Sequence, residues 1–127
     1  VLALIVDDSR ASRAFLRRML ADQGFEVIEA GHGLEALERL DDHDADVALV
    51  DWHMPEMDGV ALVKELRRDR RFADLPVMMV TGECDPRQMA RALMAGADEY
   101  AMKPLDRAGL VDKLRLLGFT ELGTDAA

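Results

Sequence analysis

The sequence predicts a doubly wound parallel α/β sheet in a single domain, and three observations carry the prediction. Five short apolar runs alternate with five longer segments of helical period along the 127 residues. The central runs are apolar at consecutive positions, as in strands covered on both faces, rather than at every second one. No internal repeat, linker or low-complexity stretch interrupts the alternation, so one domain is expected.

The first strand is Leu2 to Val6 and stops abruptly at Asp7 and Asp8. Ala11, Phe15, Leu16, Met19 and Leu20 then recur at three- and four-residue steps, an amphipathic helix with Ser9 as N-cap and Gly24 as stop. Phe25 to Ala30 reads as the second strand, and Leu34, Leu37 and Leu40 mark a second helix opened by Gly33. Val47 to Val50 is the third strand and again ends on an acid, Asp51. After a loop with Pro55 and Gly59, a third helix places Val60, Leu62, Val63 and Leu66 on its apolar side. Pro76 introduces the strand Val77 to Val80, which ends on Thr81 and Gly82. Pro86 suits the first turn of a fourth helix, whose apolar side is Met89, Ala90, Leu93 and Met94. Asp98 to Met102 is the fifth strand, closed by Lys103 and Pro104, and Leu110, Val111, Leu114 and Leu117 mark the last helix. The domain is expected over 1–119, with 120–127 as a frayed tail.

Composition narrows the function classes. Hydrophobic residues make up 50% and charged residues 32%, an ordinary globular balance, and no apolar run approaches the ~20 residues of a membrane span. The formal net charge of −9 argues against nucleic-acid binding, which relies on Lys and Arg neutralising phosphates. It is compatible with a cation ligand or a basic partner surface. A lone cysteine, Cys84, excludes an internal disulfide and is compatible with a reducing compartment, so a cytoplasmic location is expected. No initiator methionine stands at position 1, which is compatible with a chain trimmed from something longer.

In open α/β sheets, ligands gather outside the carboxyl ends of the strands. The residues at those ends are Asp7 and Asp8, Asp51, Thr81 and Lys103. Three carboxylates, a hydroxyl and an ammonium would therefore converge on one rim. Carboxylates that close repel one another, and a hard divalent cation relieves the repulsion; Mg²⁺ suits few carboxylates, several waters and a phosphoryl oxygen. Each residue alone has a plainer reading. Asp7 and Asp8 would cap the first helix, Asp51 would form a turn, Thr81 would cap, and Lys103-Pro104 would end a strand. All of them falling together at the ends of apolar strands is much harder to assign to caps and turns.

These residues resemble the CheY-like receiver family of response regulators over essentially the whole chain. The resemblance rests on Asp7-Asp8-Ser9, the segment Asp51-Trp52-His53-Met54-Pro55-Glu56-Met57-Asp58-Gly59, Thr81-Gly82, Ala95-Gly96-Ala97-Asp98, and Tyr100 through Lys103-Pro104. It implies the flavodoxin-like (βα)5 sheet with strand order 2-1-3-4-5. It implies Asp51 as phosphoacceptor, and Mg²⁺ held by Asp8, Asp51 and the backbone carbonyl of His53, with Asp7 assisting through water. Thr81 and Lys103 would hold phosphoryl oxygens, the Lys103-Pro104 bond would be cis, and Thr81 with Tyr100 would form the switch. The plainer reading of Tyr100 is a half-buried strand aromatic with a solvated hydroxyl. His53 and Glu83 stand where the family tunes the lifetime of the phosphorylated state, although a solvent-facing histidine is an equally good reading of His53.

The resemblance further implies a histidine kinase or phosphotransfer domain as phosphodonor. It implies a downstream protein target on the face of helix 4, strand 5 and helix 5, without nucleic-acid binding or membrane insertion. Such a protein promotes its own phosphorylation and dephosphorylation and is no enzyme toward an external substrate. Arg10, Arg13, Arg17 and Arg18 give the first helix a basic face, readable equally as a solvated surface or as a docking surface for the donor. Lys113 resembles a lysine on the output face of chemotaxis receivers, whereas Asp85 and Pro86 depart from the lysines those relatives can carry. His43 among Asp41, Asp42, Asp44 and Asp46 reads as a solvated acidic loop, His32 has no role, and Cys84 reads as packing or surface.

A stand-alone chemotaxis-type receiver is the preferred form, and a receiver cut from a larger regulator or hybrid kinase is the alternative. From another class, a haloacid-dehalogenase-type phosphatase would want Asp-x-Asp where this chain has adjacent Asp7 and Asp8. A flavodoxin-like cofactor binder would want a hydroxyl- and glycine-rich phosphate loop where Asp-Asp-Ser-Arg would repel an anion.

Overall fold

The computed structural model describes residues 1–82 and 85–122. The chain runs β1 (Leu2–Val6), α1 (Arg10–Asp22), β2 (Glu26–Ala30), α2 (Gly33–Asp42), β3 (Val47–Val50), α3 (Gly59–Arg68), a 3-10 turn (Arg70–Phe72), β4 (Val77–Thr81), α4 (Pro86–Ala95), β5 (Glu99–Met102) and α5 (Arg107–Leu116). The five strands form one sheet in the order β2-β1-β3-β4-β5, every pairing parallel. The doubly wound sheet read from the sequence is the sheet the chain forms.

The consecutive apolar residues explain the two-sided cover. Side chains alternate across a strand, so Leu4 and Val6 of β1 face one way and Ala3 and Ile5 the other. The first side joins Ala48, Val50, Val77 and Met79 to α2, α3 and α4 through Ala36, Leu40, Leu62, Leu66 and Ala92. The second joins Val47, Leu49, Met78 and Val80 to α1 and α5 through Leu16, Leu20, Leu110 and Leu114.

Local chemistry sets the element ends. Ser9, as expected, caps α1 by accepting from the Ser12 N–H. His32 has a role that the sequence did not suggest. Its Nδ1 caps α2 by accepting from the Glu35 N–H, and the Glu35 carboxylate accepts from the Gly31 N–H at 2.5 Å. Pro86 opens α4 behind the Asp85 cap.

Several details depart from the pattern, among them the exposure of Phe15 on α1 and Leu34 on α2. β2 starts at Glu26, because Phe25 turns into the core and meets Phe119 edge to face, with ring centroids 5.4 Å apart. β5 starts at Glu99, because the Asp98 carboxylate is used to accept from Arg67 and the Val77 N–H. The 3-10 turn was not foreseen. The fourth helix is rotated from its expected setting: it buries Ala92 and packs Met89 and Ala95 partly inward, while Leu93 is 47% and Met94 87% exposed. The small side chains set this face, because they let the helix lie close over the sheet. Of the tail, Thr120 and Glu121 are exposed and Leu122 packs partly on the α1–α5 side.

Candidate functional site

A parallel sheet brings the carboxyl ends of all its strands to one edge, and the residues following β1, β3 and β5 meet there. Asp7, Asp8 and Asp51 each offer a carboxylate oxygen, and these oxygens lie within 4.8 Å of one another. Among the described residues no other group of His, Cys, Asp and Glu offers such a cluster. The acidic loop around His43 does not converge: His43 Nδ1 lies 3.0 Å from the Arg39 carbonyl, Asp41 pairs with Arg71, and Asp46 accepts from the Leu2 N–H.

Asp7 is 1% exposed, and each of its carboxylate oxygens has a partner. Its Oδ1 accepts from the Ser9 N–H at 2.8 Å and its Oδ2 from Lys103 Nζ at 2.8 Å. Asp51 accepts through Oδ1 from the Trp52 N–H at 2.8 Å, while its Oδ2 stands 3.4 Å from Lys103 Nζ. Burial pushes the Asp51 carboxyl above the ordinary aspartate range; Lys103 opposes the rise and the Asp7 charge adds to it. Burial works against the Lys103 ammonium, but the bond to Asp7 and the charges of Asp51 and Asp7 outweigh it and raise its pKa. Lys103 is therefore held charged between two carboxylates. Asp8 is exposed at the mouth of the cluster.

Thr81 ends β4 with 1% exposure, and its carbonyl accepts from the Lys103 N–H at 2.9 Å. The Lys103-Pro104 bond is cis, as expected. Tyr100 is 5% exposed, so the half-buried reading is replaced by a buried ring on the α4 side of the sheet. His53 is exposed, and Trp52 beside it is buried under Arg91 of α4, whose guanidinium carbon lies 5.8 Å from the ring centre. Glu83 and Cys84 lie outside the described residues. The basic face of α1 divides: Arg13 and Arg17 are tied to Glu29 of β2, while Arg10 and Arg18 are exposed. Lys113 pairs with Glu99 at 2.9 Å. The sequence carried no sign of the Arg13–Glu29 and Arg67–Asp98 pairs, because no local spacing encodes partners 16 and 31 residues apart.

An acidic cluster with a captive lysine at the carboxyl edge of a 2-1-3-4-5 parallel sheet defines a receiver module, and comparison with known proteins agrees. Residues 3–115 match the model of the response regulator receiver domain. The chain is 42% identical to chemotaxis protein CheY1 of Helicobacter pylori over 124 residues, 96% of this chain and 97% of that one. It is 39% identical to a Campylobacter jejuni chemotaxis protein CheY homolog over 126 residues, covering 98% and 97%. The structure of Vibrio cholerae chemotaxis protein CheY4 superposes with a TM-score of 0.87 at 32% identity, covering 92% of this chain and 98% of that one. The chain belongs to the response regulator receiver domain family, as a receiver of the CheY chemotaxis type. Its class is that of two-component signalling proteins, not metabolic enzymes, and no described helix is long and apolar enough to cross a membrane.

Proposed function

We propose that this receiver accepts a phosphoryl group on Asp51 from a histidine kinase or phosphotransfer domain, and signals by a change of shape. The observation that carries the proposal is the position of Asp51, at the end of β3, within 4.8 Å of Asp7 and Asp8 oxygens and 3.4 Å from Lys103 Nζ. The donor set fits a hard divalent cation, being all oxygen, crowded and mutually repelling. Asp8, Asp51 and the His53 carbonyl would hold Mg²⁺, with Asp7 assisting through water. When bound, Mg²⁺ would neutralise carboxylate and phosphoryl charge.

The protein's own groups supply the rest. Asp51 Oδ2 faces Lys103, so a phosphoryl group received there would gain an ammonium partner, and Thr81 would offer an uncharged donor. The acyl phosphate carries roughly −1.5 to −2 charge where the carboxylate carried a single one, together with strong acceptor oxygens, and a two-state element must read it. Thr81 and Tyr100 are that element in this reading, passing the change to the face of α4, β5 and α5, where Leu93, Met94, Met102 and Leu116 are exposed for a downstream partner. His53 and Glu83 would tune how long the phosphoryl group survives. The donor would dock beside α1, where a groove of about 480 Å³ lined by Phe15, Leu16, Pro104 and Leu105 adjoins Lys103. The signalling unit is 1–119; of the tail expected after it, residues 123–127 lie outside the described residues. It acts as a stand-alone cytoplasmic regulator that turns over no external substrate and binds neither nucleic acid nor membrane.

Trp52 is the lone tryptophan and sits beside Asp51, so its fluorescence tests the proposal. A saturable response to Mg²⁺ and then to beryllofluoride, absent in Asp51→Asn, is the expected result. An identical response in Asp51→Asn, or none in folded protein, would sink the reading.

A further inference from the structure

Asp8 is the cluster's weakly anchored member. Its side chain is exposed and makes no hydrogen bond or ion pair among the described residues, so its own backbone and rotamer set its direction. That backbone is gripped on one side. Asp7 donates its N–H to the Ala30 carbonyl at 3.0 Å, and its carbonyl accepts from Arg13 Nη1 at 2.6 Å. The Asp7 carbonyl and the Asp8 N–H share one rigid peptide plane, so gripping the carbonyl fixes the Asp8 N–H and the position of the Asp8 Cα from which its side chain extends. Arg13 is itself braced. Its side chain is 17% exposed, its Nε donates to Glu29 Oε1 at 3.0 Å, and Glu29 Oε2 is taken by Arg17 at 2.6 Å.

We infer that Arg13 is a positioning residue for the acidic site, fixing the Asp7–Asp8 peptide so that the Asp8 carboxylate is aimed at a bound divalent cation. The inference rests on the cation-binding reading of Asp7, Asp8 and Asp51. Outer groups that orient ligands commonly change metal affinity about 10–100-fold when removed. Charge acts in the opposite direction. Arg13 is a cation beside an acidic site, so removing it would tighten Mg²⁺ binding if electrostatics alone mattered. The sign of the change therefore separates positioning from charge.

The test is Mg²⁺ titration by calorimetry on the wild-type chain, Arg13→Met and Arg13→Lys, with thermal melting in metal-free buffer alongside. Lysine keeps the charge but lacks the fork that grips Asp7 and Glu29 together. The expected result is Mg²⁺ affinity weakened about 10-fold or more in Arg13→Met, with a smaller weakening in Arg13→Lys. Should Arg13→Met fail to fold, Arg13→Lys decides alone, since charge by itself predicts no change there. Unchanged or tighter binding in the folded variants, with only the melting temperature lowered, would overturn the inference and leave Arg13 a structural brace. Absence of Mg²⁺ binding by the wild type would overturn the cation reading and this inference with it, which the same titrations distinguish.

Discussion

The backbone of Gly59 lies directly against that of Asp51: a β-carbon at position 59 would overlap the Asp51 carbonyl oxygen. The Gly59 N–H also donates to the Trp52 carbonyl at 2.7 Å, so the start of α3 is clasped to the segment that carries the proposed phosphoacceptor. The close approach is the reason a glycine stands there.

Gly59→Ala is expected to lower unfolding stability by about 2 kcal/mol, because an atom forced against backbone cannot be relieved by a rotamer change. The displacement falls on Asp51, so the Mg²⁺ response of Trp52 fluorescence should weaken as well. Denaturant unfolding followed by a metal titration checks both, and a stability equal to wild type would contradict the packing argument.

The raised pKa of Asp51 gives a pH signature. The folded chain holds the Asp51 proton more tightly than the unfolded chain does, chiefly because the carboxylate is buried. Its contribution to stability is therefore fully present below the ordinary aspartate value and is lost as pH rises through the raised folded value. Asp51→Asn should unfold at a higher denaturant midpoint than wild type at neutral pH without metal, and the difference should shrink toward acid. A lower midpoint would mean that attraction to Lys103 outweighs burial.

Arg67 ties four parts of the chain together. Its guanidinium donates to the carbonyls of Gly96, Phe72, Ala73 and Leu75 and to Asp98 Oδ2. Gly96 has φ 122°, and a β-carbon there would meet the Arg67 side chain, so the glycine serves both the turn after α4 and the guanidinium stem. Arg67→Met should cost about 2–3 kcal/mol of stability, and Arg67→Lys should recover little, since an ammonium cannot fork across these acceptors. Full recovery by lysine in urea unfolding would contradict the fork.

Gln23 is 4% exposed, and neither its amide nitrogen nor its amide oxygen has a hydrogen-bond partner among the described residues. Leaving such a group unpaired commonly costs about 1–3 kcal/mol. Gln23→Met keeps the volume and removes the polar atoms, so it should raise stability by about 1 kcal/mol in thermal melts. A destabilised variant would indicate that water satisfies the amide.

Much of this was legible in the sequence, for a local reason. Apolar runs and helical periods record which residues face the core, and they placed all five strands to within a residue and marked all five helices. The parallel sheet then obliged Asp7, Asp8, Asp51, Thr81 and Lys103 to share an edge. The reading failed where neighbours decide. On α4, Met89, Ala90, Leu93 and Met94 looked like one apolar face, but the sheet accepts Ala92 and leaves Met94 outside. His32 carried no local signature beyond its place before Gly33, and only the reciprocal bonds with Glu35 and Gly31 reveal the cap.

By itself, then, the sequence determined the order and type of the elements and the chemistry at each strand end, because both follow from patterns a few residues long. Tertiary structure alone decided the partners. Lys103 meets Asp7 across 96 positions and Arg13 meets Glu29 across 16. Which of several charges a lysine or arginine pairs with depends on the ångström-scale register of packed elements, and no one-dimensional spacing contains that information.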